Sequence, residues 1–186
     1  FTTLNGDFKW PGTFAFKSAL AKAKMDGWYE RRDWYDPNWA NEEGGTILYD
    51  ACKKGRVEVA RLLLEKGAEV DQAKEDGATL LWISCANGHA NSARLLWERG
   101  ARIHRAKENG ETPLYAACAG GHVDAAQLLL ILGAEVNRAR TDGATPLHIA
   151  CEKGHVEVVR LLLERGAVFE HDSSALCEGD AVEAKY

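Results

Sequence analysis

The side chains best suited to chemistry in this chain of 186 residues are three pairs in which a histidine follows a cysteine by four positions. They are Cys85–His89, Cys118–His122 and Cys151–His155. Such a pair could supply zinc ligands or a thiolate activated by imidazole. The pairs recur every 33 residues, however, and a glycine separates the two members of each. We therefore predict small buried cysteines rather than a metal site or a nucleophile, with no catalytic residue and no cofactor.

The 33-residue spacing of these pairs belongs to a repeat that covers most of the chain. The positions that recur in every copy are a threonine and two glycines: Thr46, Thr79, Thr112 and Thr145; Gly55, Gly88, Gly121 and Gly154; and Gly67, Gly100, Gly133 and Gly166. Four copies are predicted, at about residues 44–76, 77–109, 110–142 and 143–175. Consecutive cysteine–histidine pairs would then lie about 8–10 Å apart, one helix-packing distance. A tetrahedral zinc site needs ligands within about 2.3 Å of one ion.

The residue pattern of each copy predicts two short helices joined by a turn. In the fourth copy, Thr145 can cap the first helix and Pro146 stands at its first position, where a missing N–H does no harm. Gly154 is placed between the helices, where a positive φ is expected, and Gly166 ends the second helix. One such unit cannot bury its own apolar face, so the copies must stack.

The fourth copy opens with Thr145-Pro146-Leu147-His148-Ile149-Ala150, and its period and signature resemble those of the ankyrin repeat. The third copy keeps Thr112-Pro113-Leu114, and the first two keep the threonine. The resemblance implies an all-α ankyrin-repeat solenoid, with helix-turn-helix repeats joined by hairpin-like loops and atypical ends. It also implies that His148 braces the neighbouring loop, and that protein partners bind along a concave face.

The two ends of the chain differ from the ankyrin-repeat domain, which we place at residues 44–172. Residues 1–43 hold ten of the sixteen aromatic residues, including Trp10, Trp28, Trp34 and Trp39. This segment is interpreted as a degenerate cap repeat, or else as a separate recognition segment. Residues 173–186 echo part of a repeat and are interpreted as a partial C-terminal repeat or cap.

Composition limits the class of protein. Hydrophobic residues make up 46% and charged residues 27% of the chain, which excludes a disordered acidic tail. The formal net charge of -5 argues against a nucleic-acid binder, and no apolar run is long enough to cross a membrane. Unpaired cysteines favour an intracellular setting, cytoplasmic or nuclear. The first residue is Phe1, so we expect a fragment, a processed product or a trimmed chain.

Positions that vary between copies are the candidate binding residues, because the recurring ones are required for folding. The fourth signature position carries Tyr49, Trp82 and Tyr115, which we expect to be half-exposed aromatic anchors or else to pack on adjacent loops. The other predicted concave-face residues are Lys53, Lys54, Asn87, Lys107, Arg138 and Arg140. Their charge favours a protein with an acidic surface or peptide, bound by a monomer.

A second apolar patch is predicted at Trp97, Ile131 and Leu132. Ile131 and Leu132 occupy positions that are charged in the other copies, and Trp97 replaces the last leucine of its run.

Two alternatives to a non-catalytic binding module stay open. The chain could be a regulatory or targeting segment of a larger enzyme or channel, with the catalytic part outside it. The aromatic N-terminal segment could instead stack on a carbohydrate or a single-stranded nucleic acid.

Overall fold

A computed structural model describes residues 37–38, 40–41 and 44–169. The predictions made for the aromatic segment 1–43 and for the partial repeat 173–186 lie almost entirely outside the described residues. Within the described part there are eight helices and no strand, in agreement with the predicted all-α class. Two isolated antiparallel bridges, Ala40 with Thr46 and Ala73 with Thr79, lie in the loops that precede helices. None of the described helices is both long enough and apolar enough to span a bilayer.

The helices alternate between a shorter and a longer type. The first helices of the four pairs are α1 (Ile47–Lys53), α3 (Leu80–Ala86), α5 (Pro113–Ala119) and α7 (Pro146–Glu152). The second helices are α2 (Val57–Glu65), α4 (Ala90–Glu98), α6 (Val123–Ile131) and α8 (Val156–Glu164). Each first helix packs on the second helix that follows it and on the first helices of neighbouring pairs, and the second helices contact one another in sequence. The result is a two-layer stack in which every pair has the same register.

Each first helix begins at a threonine cap. Thr46, Thr79, Thr112 and Thr145 have extended backbone and accept the N–H of the residue three positions later. For Thr112 and Tyr115 the distance from oxygen to nitrogen is 3.1 Å. A side-chain cap of this kind stabilises a helix by about 1 kcal/mol. The predicted cap at Thr145 is confirmed, and so is Pro146 in the first turn.

The turn between the two helices of a pair requires glycine. Gly154 has a φ of 71°, as predicted, and Gly88 has a φ of 73°. Residues with a Cβ avoid this left-handed region, whereas glycine enters it freely. The sharp reversal brings the second helix back along the first one, so that both can contribute to one core.

The core repeats with the same period. The fully buried leucines of the first helices are Leu48, Leu81, Leu114 and Leu147, and their counterparts in the second helices include Leu96, Leu129 and Leu162. Burying one leucine side chain is worth about 1.5–3 kcal/mol. Cys52, Cys85 and Cys118 are buried among them without exposed surface, as predicted for small apolar residues.

Candidate functional site

The predicted aromatic stripe lies against the loops that follow each helix pair. Tyr49, Trp82 and Tyr115 stand at the third position of successive first helices, and each ring carries a cation from a residue 25 positions later. The cation lies above the ring centroid at 5.1 Å for Lys74 on Tyr49, 4.5 Å for Lys107 on Trp82 and 5.8 Å for Arg140 on Tyr115. Such cation–π contacts are worth about 0.5–1 kcal/mol at exposed sites. The structure therefore favours the alternative in which the rings pack on adjacent loops.

The three aromatic rings differ in how deeply they are buried. Tyr115 is only 4% exposed, so the expectation of a half-exposed anchor is wrong at this position, because the loop carrying Arg140 covers the ring. Tyr49 and Trp82 are partly buried. Burial, together with the nearby carboxylate of Asp76, raises the pKa of Tyr49 to about 12. The indole N–H of Trp82 is buried, and no acceptor is found for it within the described part of the chain.

The basic residues of the loops are engaged in ion pairs. Lys107 Nζ lies 2.8 Å from the Asp76 carboxylate, and this hydrogen bond holds the pKa of Asp76 below its usual value. Arg140 bridges Glu111 at 3.1 Å and Asp142 at 2.6 Å. Arg138, the third basic loop residue predicted to steer a partner, lies 4.0 Å from Glu135. Their positive charge is largely compensated by neighbours.

The exposed residues of this side lie where the first helices end. Lys53, Lys54 and Asn87 are exposed, as are Gly120 and Lys153 in register with them. Lys54 pairs with Asp50 at 3.2 Å, and the Asn87 amide donates to the Ile83 carbonyl at 2.8 Å. The row therefore presents a basic end at the first pair, an amide and a bare glycine in the middle, and a lysine at the last pair.

The histidines of the cysteine–histidine pairs connect neighbouring repeats. In each case Nε2 lies 3.1 Å from a backbone carbonyl at the end of the preceding first helix: His89 to Lys53, His122 to Ala86 and His155 to Ala119. A carbonyl can only accept, so Nε2 carries the proton and donates it. These bridges were not predicted from the sequence, although a histidine at the same position of three copies was a usable signal.

The buried cysteines of the first three copies, two of which belong to these pairs, are not activated. Burial raises the pKa of Cys52 and of Cys118 to about 12, and it raises that of Cys85 as well. These thiols are therefore protonated at neutral pH. Among residues 37–38, 40–41 and 44–169, no three His, Cys, Asp or Glu side chains come close enough to hold a metal ion.

His148 interacts with its own helix. Its Nδ1 accepts the backbone N–H of Thr145 at 3.3 Å, and Thr145 Oγ1 caps the His148 N–H in return, which forms a capping box. The ring also meets Phe169 edge-on, with centroids 6.2 Å apart. The expected bracing role is thus exercised mainly on the helix start, with a single aromatic contact to the loop after α8.

A second link between repeats, which the sequence reasoning missed, is made by an Asn or Asp side chain and is called here the Asx bridge. In each one the Oδ1 atom accepts the N–H of the residue 31 positions later. The three bridges join Asn38 to Glu69 at 2.7 Å, Asp71 to Arg102 at 3.1 Å and Asn137 to Val168 at 3.1 Å. His104 occupies the same register without such a bond and lies 3.7 Å from Glu135.

The predicted second patch is only partly exposed. Trp97 at the end of α4 is 44% exposed and Ile131 at the end of α6 is 65% exposed. Leu132 is instead partly buried and packs on the core, so its expected exposure is wrong. Next to Trp97 lies an open groove of about 470 Å³. Its other lining residues are Ala101, Arg102, Ile103, His104 and Arg105.

Stacked helix pairs with caps, glycine turns and side-chain bridges in a fixed register define a helical repeat protein. A family model described as ankyrin repeats (3 copies) matches residues 28–107 and 103–173. The match covers more than half of the chain, and the chain belongs to the ankyrin repeat family. No curated protein matched the sequence. Ankyrin repeats are generally modules for protein interaction, and the family is generally non-catalytic.

Proposed function

We propose that this chain is a non-catalytic module that binds a partner protein on the side formed by its first helices and the loops between repeats. The observation that carries the proposal is the row of exposed residues at the ends of the first helices, next to an aromatic stripe whose rings pack under cations from the loops. Side chains that are already packed in this way lose less conformational freedom on binding, which favours affinity.

The packing of the stack supports the choice of this side. Neighbouring first helices contact each other more extensively than neighbouring second helices do. A stack whose first layer is drawn closer together bends toward that layer, so the first helices would line the concave side. Repeat arrays commonly present such concave surfaces to their partners.

The character of the partner follows from the exposed row. Lys53 and Lys54 make the first pair basic, Asn87 offers an amide, and Gly120 leaves room for a partner side chain. An acidic partner surface suits this arrangement. The ion pairs of Lys107, Arg138 and Arg140 reduce what those residues add, and Lys54 is likewise paired with Asp50, so we assign more of the steering to Lys53. The buried free thiols Cys52, Cys85 and Cys118 support an intracellular location.

The test uses exposed residues, because alanine at buried Tyr115 would disturb folding as well as binding. Partners captured by the wild-type chain are identified, and their Kd is measured by calorimetry for wild type and for the variant K53E/N87E. The control is E157R/R160E, which exchanges an exposed ion pair of α8. We expect the first-helix variant to bind about tenfold more weakly, equivalent to about 1.4 kcal/mol, and the control to bind like wild type. Unchanged affinity of the folded first-helix variant would overturn the proposal.

A further inference from the structure

The segment that follows α4 differs in charge from the corresponding segments of the other repeats. Arg102 stands where Glu69 and Glu135 stand, and His104 replaces Asp71 and Asn137. From Arg99 to Lys107 the segment contains no acidic residue. This stretch is therefore basic in a chain whose net charge is -5.

The basic segment forms one wall of the groove beside Trp97. The apolar part of the lining is Trp97, Ala101 and Ile103, and the basic part is Arg102, His104 and Arg105. Trp97 is 44% exposed, whereas leucine occupies its position in the other three repeats. An open volume of about 470 Å³ lined by an exposed indole has room for a large apolar side chain.

Among the residues that the structure describes, carboxylates do not neutralise all of the positive charge of this groove. Asp71 accepts Arg102 Nε at 2.6 Å, while Arg105 donates to the Asp71 carbonyl oxygen rather than to a carboxylate. Glu135 lies near both His104, at 3.7 Å, and Arg138, at 4.0 Å. Of the two arginines that line the groove, Arg102 contacts a carboxylate whereas Arg105 contacts only a carbonyl oxygen, so the described contacts leave the positive charge of Arg105 uncompensated.

We propose that this groove binds an acidic segment of a partner protein that inserts one large apolar side chain against Trp97 and Ile103. Ile131, at the end of the neighbouring helix α6, is a further exposed apolar side chain. Carboxylates of the segment would pair with Arg102 and Arg105, whose planar guanidinium groups suit them. The groove is lined by the end of α4 and the loop after it, and none of its lining residues belongs to the row of exposed residues at the ends of the first helices.

The experiment pans a random peptide library, displayed on phage, against the wild-type chain and against W97S/R105E. Peptides recovered only by wild type are synthesised with a fluorescein label, and their Kd is measured by fluorescence anisotropy. We expect these peptides to be enriched in acidic residues around one large apolar residue. We expect W97S/R105E to weaken their binding about tenfold or more, and R105E alone, which keeps the indole, to weaken it by a smaller factor.

The matched control is L163S/R160E, which makes the same kinds of change on α8, since Leu163 is the counterpart of Trp97 and is 48% exposed. Circular dichroism first establishes that all variants are folded. The control should keep the wild-type Kd. The proposal is overturned if no peptide distinguishes wild type from W97S/R105E, if the peptides lack an acidic excess, or if the control loses as much affinity. It is also overturned if an oligothymidylate binds with the same sensitivity to W97S/R105E, because the occupant would then be a nucleic acid.

Discussion

The bridge between His122 and the preceding repeat makes a quantitative prediction for Gly88. Gly88 has a φ of 73°, and a Cβ added there would lie 2.6 Å from Nδ1 of His122. The left-handed conformation costs alanine about 1–2 kcal/mol. The imidazole ring must also move away, which breaks its 3.1 Å bond to the Ala86 carbonyl, a loss of about 1 kcal/mol. We expect G88A to lower the free energy of unfolding by about 2–3 kcal/mol.

The contribution of the ring can be separated from that of the backbone. Gly154 has nearly the same φ, 71°, but no atom of the described residues lies within 4 Å of its added Cβ. G154A should therefore cost only the backbone strain of about 1–2 kcal/mol. The difference between the two alanine variants measures the steric conflict with His122.

A double-mutant cycle gives a sharper test. H122A alone removes the bond to Ala86 and should cost about 1–2 kcal/mol. In the H122A background no ring opposes the new Cβ, so G88A should add only its backbone strain. The sum of the two single losses in the free energy of unfolding should then exceed the loss in the double variant by about 1 kcal/mol.

The assay is urea denaturation followed by far-ultraviolet circular dichroism, with all variants under the same conditions. Two results would refute the reasoning. One is equal destabilisation by G88A and G154A, which would mean that the His122 ring moves away from the new Cβ without a free-energy cost. The other is strict additivity of G88A and H122A, which would mean that the two residues do not interact.

Three further predictions concern the links between repeats and the buried groups. H104N should restore the missing Asx bridge and raise the free energy of unfolding by about 1 kcal/mol, measured by urea denaturation; no gain would show that the backbone there cannot reach the asparagine. Cys118, whose pKa burial raises to about 12, should resist iodoacetamide in the folded protein at neutral pH and react in urea, as followed by mass spectrometry; rapid alkylation of the folded protein would contradict its burial. The hydrogen bond from Lys107 lowers the pKa of Asp76, so this carboxylate stabilises the fold above its ordinary titration range and the gain is lost as pH falls. D76N should therefore reduce the urea midpoint more at about pH 7 than at about pH 3, and an equal reduction at both would exclude this ion pair as the cause.

The sequence by itself determined the repeating architecture. Thr145, Pro146 and Gly154 act within a few residues of their own positions, through a cap, a fixed φ and a left-handed turn. Local rules of this kind can be read without knowledge of any neighbour, and the 33-residue recurrence repeats the threonine and the glycine in all four copies and the proline in two. The burial of Cys85 could also be predicted, because a small apolar residue on the inner face of a stacked helix is covered by the neighbouring helices.

The accessibility of the candidate binding residues depended on contacts between repeats. Tyr115 looked like an anchor in the sequence, but it is covered because stacking brings Arg140 above its ring. Lys107 looked like a steering charge, but the same stacking places it on Trp82 and beside Asp76. These partners lie 25 to 31 positions apart in the sequence. Rules for side chains three or four residues apart on one helix do not apply at that separation.

The same reason accounts for the bridges of His122 and Asn137. Each joins residues that become neighbours only when one helix pair is laid on the next at a fixed height and rotation. Periodicity determines that the pairs stack, since each has an apolar face to bury. The distance and angle between successive pairs, which decide whether a given side chain contacts its neighbour or faces solvent, are properties of the packed tertiary structure alone.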